Sequence, residues 1–476
     1  MSSKLSNSAF ADTLDAWNEI RYQADVRFHS SRRAQWLLAC VLCFTATLAR
    51  ADLWSTTYYA AWLQGTMPAS NVDFTAISHV IHFSAVPNAN GSLDTSINVL
   101  TPANSADVVA RAHAAGCKVL VSVGGAGSQS GFQGATSNAN RGTFVTNLVN
   151  LMTNRGYDGI DLDWEPLDAG DGQQFTNFVT TLRTALNGIT PRPLLTTAVL
   201  WQPSLFAQLQ AQFDQINLLS YEMSGPYPGW VTWFNAPIYD GGYTFPSTGG
   251  LVPSTEGLVK QFITAGVASN KLGVGIEFYG TVWSGGTGTS TGGAALPRQT
   301  WSNAPTTMQA NYDTIVSNYY QPSRYFWDTN AQAPYLTIDN TGSTNDHFVS
   351  YEDERACAAK VSYARNRGLG GVMIWELGGG WRATQPAGQR DPLLQAVKRA
   401  LATPKVATID GNGTNVQLGF TSAPLGFYRV QWRSNYASGT WSTLITNSST
   451  TGGVLQITDP GALIQPQRYY RVQTPP

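Results

Sequence analysis

The sequence predicts a (β/α)8 TIM barrel of the α/β class carrying a small α+β insertion, followed by an all-β, sandwich-like module. Three observations carry this expectation. Eight short apolar, β-rich runs alternate with amphipathic stretches between residues 52 and 402, the pattern of βα units around a closed parallel sheet. Roughly 70 residues of a different rhythm separate the seventh run from the helix that follows it. Beyond residue 402 the chain changes to short strand-like runs punctuated by Gly, Ser, Asn and Pro.

The eight runs are TTYYAAWL (56–63), SHVIHFSAV (78–86), KVLVSVGG (118–125), GYDGIDLDW (156–164), LLTTAVLW (194–201), QINLLSYEM (215–223), LGVGIEFYG (272–280) and GVMIWEL (371–377). Between several of them lie helical patterns, such as RGTFVTNLVNLMTNRG and DERACAAKVSYARNRG, whose apolar residues recur at three- and four-residue intervals. Several end in Gly, a usual helix stop. An open doubly wound sheet is the alternative topology, but YYAAWLQG after the first run lacks the Gly-rich phosphate turn of that fold. The insertion, about residues 284–347, opens with SGGTGTSTGG and reads as a helix-plus-strand subdomain in one βα loop. Such a loop emerges at the C-terminal ends of the strands and would wall the active face. Residues 403–476 hold NVQLGF, FYRVQWR, WSTLIT, GVLQIT and RYYRVQT, with YRVQ occurring at 428–431 and 470–473 as two similar strands. A spacer is the plain reading of this module; carbohydrate binding through Trp432, Tyr436 or Trp441 is the functional alternative.

Residues 1–51 read as an export signal with an extended n-region. Arg32 and Arg33 precede an apolar run from Trp36 to Leu48, and Ala49-Arg50-Ala51 is a small-x-small cleavage site. Cleavage near Ala51–Asp52 would give a secreted, extracellular chain with no membrane contact. Lys plus Arg is 29 and Asp plus Glu is 30, so no polyanionic partner is indicated and nucleic acid is excluded as a ligand class. Fifteen Trp and twenty Tyr suit neutral, ring-shaped ligands met by stacking. Cys40 and Cys43 would leave with the signal; Cys117 and Cys357 read as two separate buried thiols, with a single disulfide as the alternative in an exported chain. The five His are scattered without metal-ligand spacing, His79 and His82 reading as structural, so no metal or cofactor is expected. A monomer is expected.

The stretch GYDGIDLDWEPL (156–167) places Asp158, Asp161, Asp163 and Glu165 in a run that otherwise reads as a buried strand. Residues two apart share a strand face. Asp161, Asp163 and Glu165 therefore point one way, into the barrel, while Ile160, Leu162 and Trp164 lie under the helices. At about 3.3 Å per residue the three carboxyls climb about 13 Å towards the C-terminal rim, leaving Glu165 at the mouth. Crowded carboxyls cannot all ionise cheaply, and a carboxylic acid that keeps its proton near neutral pH is what glycosidic cleavage needs. A structural ion-pair network would require cations, and the stretch contains no Lys or Arg. A divalent metal would want further ligands, and no second acidic or His cluster accompanies the run.

These residues resemble the D-x-x-D-x-D-x-E signature of glycoside hydrolase family 18, the chitinases and their relatives. Further segments are similar to the family's other motifs: SVGG (122–125), LLSYEMSGP (218–226), GIEFYG (275–280) and GLGGVMIWEL (368–377). The insertion, APYL and FVSYED resemble those of chitinases with an extra subdomain after strand seven. The resemblance covers about residues 54–400. It implies that Glu165 is the general acid and base, that Asp163 orients the substrate's acetamido group, and that Asp161 shares a proton with Asp163, held by Tyr58 and Ser122. It implies too that Tyr221 donates to the acetamido carbonyl, that Trp375 floors the sugar site, and that Tyr279 and Glu222 border it. Leu219 stands where the family has Met, and Glu222 where it has Asp or Asn. Asp158, out of phase with the other three acids, reads as a turn-stabilising residue. Trp230, Trp233, Trp283 and Trp381 fall in loops at the active face, for stacking on sugars or for packing; Trp230 is the one taken as substrate-binding. The expected function is retaining, substrate-assisted hydrolysis of β-1,4 bonds in chitin or chitooligosaccharides. The alternatives are an endo-β-N-acetylglucosaminidase on N-glycans and a non-hydrolytic chitin-binding lectin.

Overall fold

The computed structural model describes residues 53–473 apart from 342, 403, 405, 423–426, 436–437, 449–452 and 466. The expected signal lies outside the described residues. The chain divides into a large unit ending at Lys398 and a smaller one beginning at Arg399.

Eight parallel strands build the large unit: β1 (Trp54–Ala60), β2 (His79–Pro87), β3 (Lys118–Ala126), β4 (Gly159–Glu165), β5 (Leu194–Val199), β6 (Gln215–Leu218), β7 (Leu272–Glu277) and β8 (Gly371–Trp375). Each pairs with its neighbours in sequence, and β1 pairs with both β2 and β8, so the sheet closes. The barrel expectation is met. Closure follows from the residue pattern: the strands are apolar on both faces, one towards the lumen and one towards the helices. On the outer side of β4, Ile160, Leu162 and Trp164 are buried. Trp164 stacks on Phe132 with ring centroids 4.7 Å apart, and Phe132 meets Phe144 and Phe178 from the next two helices. The helix Gly172–Asn187 buries Phe175, Phe178, Val179, Leu182 and Leu186, the 3.6-residue stripe that the sequence displays.

Two glycines on β3 show why no other residue serves there. Gly124 and Gly125 both have φ of +110°. A Cβ on Gly124 would stand 2.1 Å from the Asp163 carbonyl oxygen, and one on Gly125 would stand 2.6 Å from the Phe83 ring. The backbone of β3 thus presses against the acidic strand and the floor of the mouth, which any side chain would forbid.

Five of the expected strands end two to five residues early, and in the sixth and seventh this moves residues of the candidate site. The sixth stops at Leu218 rather than 223: the Ser220 hydroxyl accepts from the Gly275 N–H at 2.8 Å, taking a ladder position, and Glu222 adopts φ of +56°, which a strand does not allow. The seventh stops at Glu277 rather than 280. Tyr279–Ser284 instead enters a five-stranded antiparallel sheet with Thr306–Asn311, His347–Tyr351, Ala333–Ile338 and Tyr325–Asp328. The insertion thus extends at both ends beyond residues 284–347, and Tyr279 belongs to its first strand.

The smaller unit holds two three-stranded antiparallel sheets, one of Val406–Asn412, Asn415–Ser422 and Gly453–Asp459, the other of Ser442–Ser448, Phe427–Arg433 and Tyr469–Gln473. Leu418, Phe420, Tyr428, Val430 and Ile457 form its core. The two YRVQ segments lie on adjacent strands and pair with each other, Val430 opposite Val472. Cys117 and Cys357 are buried and free. No helix among the described residues is long and apolar enough to cross a membrane.

Candidate active site

The acid ladder of β4 points into the lumen. Asp161 is fully buried and accepts hydrogen bonds from three strands: Tyr58 on β1 at 2.8 Å, Ser122 on β3 at 3.1 Å and Thr196 on β5 at 2.6 Å. Ser122 and Thr196 are its direct partners in the parallel register, whereas Tyr58 reaches it across the barrel. Only an inward-facing carboxyl can be met from all three. Burial raises the proton affinity of Asp161, and the three hydroxyl donors work against that rise by favouring its anion.

One layer up, Asp163 lies opposite Gly124. It is buried and, among the described residues, its carboxyl receives no hydrogen bond, so nothing offsets desolvation. Burial first, then the charges of Glu165 and Asp161, drive its pKa well above the usual carboxylate range. Glu165 sits at the top, half-buried. Its pKa is raised by burial and secondly by the charge of Glu222. No ion pair touches Asp161, Asp163 or Glu165 among the described residues. Asp158 is the contrast: at the opposite end of β4 it accepts from the Val119 N–H, His113 and Lys118, a role that ties the start of β4 to β3.

Around the ladder stand Tyr221 and Tyr279, 6.1 Å apart edge to face. Desolvation and the neighbouring carboxylates push both phenols well above their ordinary pKa, so they remain O–H donors. Trp375, at the end of β8, packs edge-on against Tyr58 at 5.2 Å and Phe83 at 4.9 Å. Its indole forms an apolar wall supported from two sides. Glu222 follows β6 in an exposed position, and its Oε1 accepts from Tyr279 at 2.8 Å and from Gln309 Nε2 at 2.7 Å.

The loop tryptophans divide. Trp233 and Trp283 are fully buried, Trp233 donating to the Pro253 carbonyl at 2.8 Å, and neither offers a face to a ligand. Trp230 is partly buried, held between Tyr227 and Phe245. Trp381 is also partly buried. Open aromatic surfaces lie elsewhere and were missed in the sequence, among them Trp201 at 62% exposure, Tyr227 at 55% and Trp62 at 43%. Trp62 follows β1 and packs edge-on against Phe83 at 5.7 Å, so it continues the wall that Trp375 and Phe83 begin. Its position straight after a strand was the available signal; its inclusion in the first apolar run hid it.

In the smaller unit, arginines lie over both tryptophan rings considered for sugar. Arg468 lies over Trp432 at 3.9 Å, and Arg433 and Arg471 lie over the Trp441 ring at 4.3 and 4.4 Å. These cation–π contacts occupy the surfaces that stacking on a pyranose would require. Tyr436 lies outside the described residues.

A closed parallel barrel whose unpaired carboxyls rise along β4 to an aromatic-walled mouth defines a (β/α)8 protein with its chemistry at the C-terminal face. The family model of glycosyl hydrolases family 18 matches residues 55–380, and the chain belongs to that family. Chitinase A1 of Niallia circulans is 27% identical over 387 residues, covering 71% of this chain and 52% of that protein. The class V chitinase of Arabidopsis thaliana is 28% identical over 287 residues, 55% of this chain and 69% of that one. The chain spans about half the length of the first of these relatives. Among solved structures, the Group IV chitinase of Ostrinia furnacalis in complex with allosamidin superposes with a TM-score of 0.62 at 21% identity, over 74% of this chain and 99% of that one. A family 18 chitinase of Cycas revoluta in complex with (GlcNAc)4 does so with 0.60 at 20% identity, over 73% and 100%. At these identities the superpositions establish the common fold.

Proposed function

We propose that the protein is an exported chitinase that hydrolyses β-1,4 bonds between N-acetylglucosamine units with retention of configuration. The observation that carries the reading is the ladder itself: three inward carboxyls on β4, unrelieved by any cation, with the uppermost at an aromatic mouth. Retaining glycosidases with two working carboxyls keep one as nucleophile, but family 18 uses the substrate's own acetamido oxygen instead. One rim acid with helpers below it suits that route.

Glu165, its proton held by burial and by Glu222, protonates the leaving glycosidic oxygen, then takes a proton from the water that opens the intermediate. Asp163 accepts the acetamido N–H and lends negative charge to the cyclic cation as it forms. Its own proton is free to be shared downwards with Asp161, whose anion Tyr58, Ser122 and Thr196 already favour. Tyr221 donates to the acetamido oxygen and keeps it aimed at the anomeric carbon. Trp375 shields the sugar ring from water. Colloidal chitin is expected to yield short oligomers, while high-mannose glycopeptides stay intact; the reverse pattern points to an N-glycan endoglycosidase, and binding without release to a lectin.

A pH effect follows with a definite sign. Glu165 must be protonated for bond cleavage, so activity falls as pH rises through its pKa. Glu222→Gln removes one of the two influences that raise that pKa. The alkaline limb of kcat/KM is expected to move to lower pH, read from a pH profile on a chromogenic chitobioside. An unmoved limb means that Glu222 does not act on the acid. For the smaller unit, the covered faces of Trp432 and Trp441 lead to a negative result: removal of residues 403–476 is expected to leave retention on chitin beads and turnover of soluble oligomers unchanged. A marked loss of retention would place sugar binding in that unit.

A further inference from the structure

The insertion does more than wall the mouth. Its strand Thr306–Asn311 is an edge strand, paired only with Tyr279–Ser284, and Gln309 lies opposite Thr281 in that register. Gln309 is exposed to solvent, yet its amide does not wander there. It donates to Glu222 Oε1 at 2.7 Å, the atom that Tyr279 also reaches at 2.8 Å. Two donors from two adjacent strands therefore converge on one carboxylate oxygen. No other hydrogen bond reaches Glu222 among the described residues, so both donors fall on Oε1 and none on Oε2. Glu222 occupies φ of +56°, a left-handed conformation that a glutamate adopts at a cost and that needs surroundings to hold it.

Resting on the chitinase reading above, we propose that Gln309 is a positioning residue: from the inserted subdomain it fixes the Glu222 carboxylate beside Glu165 and leaves its second oxygen free for the bound sugar. A long, exposed glutamate otherwise samples several rotamers. Two charge-assisted hydrogen bonds select one of them. The side chain is one methylene longer than the Asp or Asn of the family pattern, and the extra reach requires an extra tether, which Tyr279 alone does not provide.

The other ionisable groups around this carboxylate are Glu165 and, below it, Asp163 on β4, Tyr221 after β6, and Glu277 and Tyr279 at the end of β7 and the start of the insertion. Lys360 bears on Glu277, where it pairs with Glu352 at 2.5 Å. None of the groups that shift Glu165 is cationic. A Glu222 released into solvent therefore acts on Glu165 more weakly, with no nearby cation to take its place.

The experiment is a cycle of Gln309→Ala, Glu222→Gln and the double variant in the full chain, read by pH profiles of kcat/KM and by KM on N-acetylglucosamine oligomers. Gln309→Ala is expected to move the alkaline limb to lower pH and to raise KM about fivefold, the scale of one charge-assisted contact loosened, with kcat changed less. The unfolding midpoint should be that of the parent, since the side chain buries little. In the Glu222→Gln background the same replacement should add nothing. An unmoved limb in Gln309→Ala, or an equal shift with Glu222 already neutral, overturns the positioning role while leaving the chitinase reading intact. A parent chain that does not hydrolyse the oligomers removes both.

Discussion

Glu165→Gln is expected to lower kcat on N-acetylglucosamine oligomers by about a thousandfold or more while the oligomers still bind. The argument is one of chemistry and of place. Glutamine preserves the shape and the half-buried setting of Glu165 but has no proton to give to a leaving oxygen, and general acid–base catalysis is worth roughly 10²–10⁴ in rate. In the proposed mechanism both half-reactions use this carboxyl, so the loss falls at the upper end of that range. The aromatic wall of Trp375, with Phe83 and Tyr58 behind it, is untouched, and binding measured by calorimetry should persist. Release of reducing ends at an undiminished rate would remove Glu165 from the mechanism.

Asp163→Asn carries the second large effect, a loss of about 10²–10³ in kcat, the scale on which a single preorganised electrostatic partner of a transition state is measured. Asp163 is buried without a hydrogen-bond donor of its own, and its pKa is pushed up by burial, Glu165 and Asp161 in that order. In the free protein burial and the two neighbouring carboxyls favour its neutral form; a positive charge above it favours the anion. Asparagine can still accept from the acetamido N–H but supplies no charge to the cyclic cation. KM should therefore change little and kcat greatly. The protein should also gain stability. A carboxyl with a raised folded-state pKa favours folding below its unfolded pKa and loses that contribution as pH rises through the folded value. The variant is then expected to melt above the parent at pH values above the ordinary carboxylate range, by a margin that grows with pH until the folded-state pKa is passed, seen in thermal scans across pH. Equal fractional losses for charged and uncharged replacements, such as Asp163→Glu and Asp163→Asn, would argue that shape and not charge is at stake.

The placement of the acids on β4 was legible because a strand repeats every second residue: Asp161, Asp163 and Glu165 against Ile160, Leu162 and Trp164 is a pattern that one line of sequence displays. The barrel was legible from a different signal, eight apolar runs alternating with amphipathic helical stretches. What a single sequence hides is where a strand yields to a loop. QINLLSYEM reads as one run, yet Ser220 takes over a backbone partner and Glu222 turns left-handed, which places Tyr221 and Glu222 on a loop above the lumen. LGVGIEFYG likewise divides at Phe278, giving Tyr279 to the insertion. Trp233 and Trp283 could not be told from Trp62 and Trp201 by composition, because burial is decided by which loop folds over which. Gln309 carries no signature at all: a polar residue on an edge strand is the commonest of features, and only the fold brings it to Glu222.

The most direct test of the account is the anomeric form of the first product. Proton NMR during hydrolysis of a defined N-acetylglucosamine oligomer, read before mutarotation, is predicted to show the β anomer at the new reducing end, as an acetamido oxygen acting as internal nucleophile requires. The α anomer in excess from the earliest spectra would mean direct attack by water and would contradict the mechanism built on Glu165 and Asp163.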